Sequence, residues 1–162
     1  MSRMQFARTA AATSGLILAI ALYGCEQPAS EGRSRVVDGL RLEYGVVRSE
    51  TVFLHPLEHP ERIMHQGVPT APFTYHVVLA IFDATNGARI KDADVSLELS
   101  GPGHGPGRVV MPLEAMAAVG DLTYGGYISL PESARYRLTF DIAHADGRPD
   151  TVKALFLFDR PS

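Results

Sequence analysis

Beyond residue 35, apolar and polar residues alternate along most of the chain, and that period of two reads as β-strand. The clearest run is 73–83. Phe73, Tyr75, Val77, Leu79 and Ile81 fall on one face, and Thr74, His76, Val78, Ala80 and Phe82 on the other. Residues 36–48 predict a first strand or a hairpin, with Leu40, Leu42, Tyr44 and Val46 sharing a face. Residues 90–100 turn Val95, Leu97 and Leu99 inward, and 122–130, 135–143 and 151–159 alternate in the same way. Between them, 108–112 reads as a short strand and 113–119 as a helical turn. Asn86-Gly87 and Asp146-Gly147 mark hairpin turns, because both pairs accept positive φ at little cost. Residues 55–72 read as loop, since Pro56, Pro60, Pro69 and Pro72 interrupt regular hydrogen bonding. About seven short strands with no competing helical period predict an all-β fold, an immunoglobulin-like antiparallel β-sandwich spanning residues 36–162.

The first 24 residues differ from the rest. Arg3 and Arg8 precede the short apolar core of residues 16–22, the pattern of a secretory signal peptide and too short to span a bilayer. Leu22-Tyr-Gly-Cys25 resembles a bacterial lipobox, although Tyr23 departs from the usual small or aliphatic residue. The resemblance implies lipid attachment at Cys25, a membrane held through lipid, and a periplasmic protein anchored to the envelope at the outer membrane. Cys25 is the one cysteine in the chain, so an internal disulfide and a thiolate metal site are both excluded. Residues 25–35, rich in Glu, Ser, Gly and Pro, read as a flexible tether.

Composition narrows the function. A formal net charge of −3 over 162 residues gives no reason to expect nucleic-acid binding. No nucleophile elbow and no paired catalytic carboxylates stand out, and proline alternates with glycine through residues 101–107, which removes the amides a phosphate cradle needs. An enzyme is therefore not expected. The absence of tryptophan removes the usual platform for stacking sugars.

Sulfur and imidazole are the donors that remain. Outside the leader, methionine occurs only at 64, 111 and 116, off the strands expected to build the core. Thioether with imidazole suits Cu(I), and imidazole with carboxylate suits Cu(II), Fe(II) or Zn. Met64 and His65 flank the strand that carries His76, Glu114 lies between Met111 and Met116, and His144 ends a strand whose Ile142 is inward. Each has a plainer reading. Met111 and Met116 could plug the core, His76 could be a hydrogen-bonded core histidine, and Glu114 a surface charge. His55 and His59, four apart, would share a helix face, but Pro56 and Pro60 prevent that helix; exposure is expected, with a weak auxiliary metal patch as the alternative.

Residues 111–127, with Met-Pro-Leu-Glu-Ala-Met and Tyr-Gly-Gly-Tyr, followed by the Tyr136–Ile142 strand, resemble the periplasmic iron-transport-associated metal-binding proteins. Met64-His65 before an aromatic strand is similar to their approach to the first core strand. The resemblance covers residues 61–158. It implies an immunoglobulin-like homodimer that binds copper or iron and serves iron uptake beside an inner-membrane iron permease. By position it implies His65, Met111 or Met116, and His144 as ligands, with Met64 and Glu114 as neighbours. Thr123 stands where that family usually has histidine, and Gln66-Gly67 where it has an acidic run. The competing reading is a non-metal interaction module presenting Phe53, Tyr124 and Tyr127 at its surface.

Overall fold

The structure, a computed structural model, describes residues 32–118, 121–144 and 151–162, without the side chains of Pro60, Ala118 and His144. The leader, Cys25, most of the tether and the Asp146-Gly147 turn lie outside the described residues. Eight antiparallel strands follow in chain order: β1 (Ser34–Val37), β2 (Leu40–Arg48), β3 (Thr74–Asp83), β4 (Ala93–Ser100), β5 (Val109–Ala118), β6 (Asp121–Ser129), β7 (Arg135–His144) and β8 (Thr151–Asp159). Two single helical turns, α1 (Ser49–Val52) and α2 (Pro60–Ile63), interrupt the segment between β2 and β3.

The strands hydrogen-bond in the order β1-β2-β3-β6-β5-β4-β7-β8, one continuous sheet that folds back on itself. The fold-back lies in β5. Val109–Leu113 pairs with β4, and Glu114–Ala118 pairs with β6. Each half of β5 is thus paired on one side only, which leaves room for Pro112, a residue that cannot donate to a ladder. The ends approach each other as well. The Tyr44 hydroxyl of β2 donates to the Leu157 carbonyl of β8 at 3.1 Å, so the sheet is nearly closed into a barrel.

The alternation explains the core. Leu42, Val77, Leu79, Ile81 and Tyr124 from one layer meet Leu97, Leu99, Leu138, Phe140 and Ile142 from the other, all buried. Phe140 and Phe156 pack edge to face with Tyr44 beside them, an arrangement the ring quadrupoles favour.

Several expectations change. Eight strands stand where about seven are predicted, because residues 36–48 form a hairpin through Asp38-Gly39. Residues 108–112 and 113–119 are one long strand rather than a short strand and a helical turn, which lengthens a strand without adding one. β1 begins at Ser34, inside the stretch read as tether. Met111 and Met116 both lie on a strand, contrary to the reading that no methionine does. Val52 ends a helical turn. The Asn86-Gly87 turn forms, with Gly87 at φ 73°, but it closes only a single bridge between Phe82 and Arg89; β3 and β4 are not neighbours in the sheet, so it is not the hairpin expected.

Phe140 is fully buried at the centre of the core. Phe140→Ala is expected to lower unfolding stability by about 3–5 kcal/mol in urea titration; a loss below about 1 kcal/mol would contradict the core assignment.

Candidate metal centre

The face of β3 opposite the core carries His76 and Val78, and its partners in register extend that face across the sheet. His76 pairs with Tyr127 of β6, Val78 with Gly125, Gly125 with Glu114 of β5, and Thr123 with Met116. An outer sheet face normally meets water, but His76 and Met116 are each only 1% exposed. The cover is the segment between β2 and β3. Arg62 of α2 donates to the carbonyls of Phe53 and His55 at 3.2 and 2.9 Å, which ties the segment to itself. The Tyr127 hydroxyl donates to the Glu61 carbonyl at 3.3 Å, which ties it to the sheet. Burial, and then the charge of Glu61, raise the Tyr127 pKa, so the phenol keeps its proton for that bond.

His65 enters from this cover. It stands in the left-handed region (φ 56°, ψ 29°) in a run of positive φ that continues through Gln66 and Gly67. A non-glycine residue there costs about 1–2 kcal/mol and persists where its contacts over-determine it. Those contacts are specific. His65 Nδ1 lies 3.0 Å from Glu114 Oε2, and His65 Nε2 lies 3.1 Å from Met116 Sδ. The His65 ring also meets Tyr127 edge-on at 5.6 Å and lies 5.5 Å from the His76 ring.

If Nδ1 carries the proton that Glu114 accepts, Nε2 is left with a bare lone pair facing sulfur. Two electron-pair donors at 3.1 Å need a cation between them or a proton on Nε2. A first-row ion bonded at ~2.0–2.1 Å to nitrogen and ~2.3 Å to sulfur would hold such atoms roughly 3–3.5 Å apart. The Glu114 carboxylate behind the imidazole matches the outer partner that orients metal-bound histidine.

His76 gives the second indication. Both ring nitrogens are buried and neither has a hydrogen-bond partner among the described residues. A buried polar atom left unpaired costs about 1–3 kcal/mol. Burial, reinforced by the neighbouring His65, lowers the His76 pKa to about 4. The imidazole is therefore neutral at ordinary pH, the form that binds metal. The residues present fit a transition-metal ion: two imidazoles and a thioether lie close together, with a carboxylate at the rim.

Space for Met116 is provided by Gly125, where a Cβ would meet Met116 Cε at 2.3 Å and the Val77 carbonyl at 2.9 Å. On the opposite face of β6, a Cβ at Gly126 would meet Met111 Cε at 2.9 Å. The two glycines thus accommodate one methionine on each side of the strand.

The sequence-predicted residues divide accordingly. His65, His76, Met116 and Glu114 come together. Met111 packs against the core on the other face of the sheet. Met64 is partly exposed in the turn beside His65. His144 ends β7 with its backbone paired to Ala93 of β4, in the layer opposite these residues. Of the two readings of His76, the hydrogen-bonded core histidine is not what forms: the ring lies on the covered outer face and has no hydrogen-bond partner among the described residues. Tyr124, expected at the surface, is buried and accepts a hydrogen bond from the Ala93 amide at 3.0 Å. Tyr127, expected in the same role, is part of the site's wall. Sequence reasoning assigned it no place there, although its position two residues beyond Gly125 on an alternating strand carried the signal.

No protein-family model matches the chain, and no curated protein matches it. Among solved structures, it is similar to copper-reconstituted P19 from Campylobacter jejuni at 17% identity and a TM-score of 0.58, covering 79% of this chain and 92% of that one. FetP from uropathogenic Escherichia coli strain F11 aligns at 17% identity and 0.57, covering 81% and 95%. A DUF4426 family protein from Pseudomonas aeruginosa PAO1 aligns at 12% and 0.51, covering 80% and 98%. At these identities the likeness shows a shared fold.

Because the unfolded chain takes up a proton near pH 6.5 that folded His76 refuses until about pH 4, stability falls as pH drops through that window. Urea titrations at pH 7 and pH 4.5 are expected to differ by roughly 2–3 kcal/mol from this group. His76→Leu should remove that part of the difference; an unchanged pH profile in the variant would show that His76 is not buried neutral.

Proposed function

We propose that the chain binds one transition-metal ion, copper before iron, through His65, His76 and Met116, with Glu114 orienting His65. The observation that carries this reading is the approach of His65 Nε2 to Met116 Sδ at 3.1 Å beside a buried imidazole whose nitrogens have no partner among the described residues. A thioether with two imidazoles is a soft set, suited to Cu(I). Bound there, the metal would supply charge and a redox couple. The protein would supply a dry seat beneath the 49–73 segment.

The fold shared with copper-bound P19 and FetP supports copper. The role is carriage or delivery in the periplasm, with no bond-making step. An immunoglobulin-like fold, lipid attachment at Cys25, outer-membrane anchoring, homodimerisation and service to an inner-membrane iron permease belong to the same reading. Support for a protein partner comes from Leu54, Leu57 and Ile63, which are 84%, 72% and 63% exposed on the covering segment.

Titration of the full chain with Cu(I) against a chromophoric chelator is expected to give one ion per chain. Met116→Leu and His65→Ala should each weaken binding at least tenfold. A stoichiometry near zero in the unmodified chain would overturn the proposal.

A further inference from the structure

The covering segment holds another group of donors that the centre above does not use. His55, His59 and Glu61 each offer one ligand atom within 4.8 Å of the others. His55 Nε2 lies 3.3 Å from Glu61 Oε2, and the His55 and His59 rings stack with centroids 4.2 Å apart and planes 19° apart. The expectation that these histidines are merely exposed is therefore incomplete. The prolines forbid a continuous helix, but the turn between Pro56 and Pro60 brings the rings together by another path. The His59 N–H donates to the Pro56 carbonyl at 3.0 Å, and α2 then presents Glu61 in its first turn.

We propose that His55, His59 and Glu61 form a second metal site, selective for a borderline divalent ion such as Zn²⁺. Two imidazoles and one carboxylate are the donor set of open zinc sites, with a fourth position left to water. The 3.3 Å between His55 Nε2 and Glu61 Oε2 is about the ligand-to-ligand edge of a tetrahedron with bonds of ~2.0–2.2 Å. No sulfur takes part, so the site does not share the Cu(I) preference of the Met116 centre. Two stacked imidazolium rings would repel each other, whereas two neutral ones can bind a shared cation.

The scaffold is built in advance. Arg62 holds the His55 carbonyl, Pro56 and Pro60 restrict the backbone, and Tyr127 holds the Glu61 carbonyl. The donors are partly exposed, with 40% of the His55 side chain and 25% of the Glu61 side chain accessible, so an ion reaches them from solvent without the cover opening. The one adjustment concerns His59 Nδ1, which accepts the Glu61 amide at 3.3 Å. That contact is long and weak, and readily exchanged for a metal bond.

The inference stands apart from the copper reading, and its test keeps them separate. The full chain carrying His65→Ala and Met116→Leu, which dismantle the first centre, is titrated with Zn²⁺ by calorimetry, with circular dichroism to confirm the fold. One Zn²⁺ per chain is expected in that background. Adding His55→Ala or His59→Ala should weaken it at least tenfold, and Glu61→Gln should weaken it as well. Absence of Zn²⁺ binding in that background, or an affinity unmoved by both histidine substitutions, would overturn the second site whatever copper does at the first.

Discussion

A neutral imidazole sealed under a loop, with no partner for either nitrogen among the described residues, is the constraint to which the rest of the site answers. His76 projects from the outer face of a sheet, where water would ordinarily satisfy it. The 49–73 segment excludes that water and brings His65, not a hydrogen-bond acceptor for His76, against the ring. The left-handed turn at His65, the glycine at 125 and the hydroxyl of Tyr127 all serve the same enclosure. Local cost accepted at several residues to keep donors together and dry is the pattern of a binding site.

The sheet makes that enclosure possible because β5 changes partner midway. Its first half completes the layer of β4, β7 and β8, and its second half completes the layer of β3 and β6. One strand therefore supplies a methionine to the core and another to the covered outer face. Met111 and Met116 are five residues apart, an odd spacing that puts them on opposite faces of a strand. Gly125 and Gly126, adjacent on β6, receive them one on each side.

Most of the architecture is legible in the sequence because an antiparallel strand with one buried face writes a period of two into its residues. The runs at 73–83, 122–130, 135–143 and 151–159 carry that signal and fold accordingly. β5 does not announce itself, since Pro112, the run of small residues and the nearby Gly120 mimic a strand end followed by a helical turn. The site was legible in kind and partly in position. His65, His76, Glu114 and Met116 were named for their donor atoms. Which face of β3 is covered could not be read locally, because the cover is a proline-rich segment with no period. Met111 looked equivalent to Met116 in composition, and only register separates them. His55 and His59 read as exposed, with a weak metal patch as the alternative, on a helix argument that the turn at Pro56 circumvents.

The central claim is that sulfur and imidazole from separate strands share one ion. X-ray absorption at the copper edge of the Cu(I)-loaded chain tests it most directly. The account predicts one sulfur scatterer near ~2.3 Å together with imidazole nitrogen near ~2.0 Å, the sulfur vanishing in Met116→Leu. A shell of nitrogen and oxygen alone, identical in the two proteins, would contradict it.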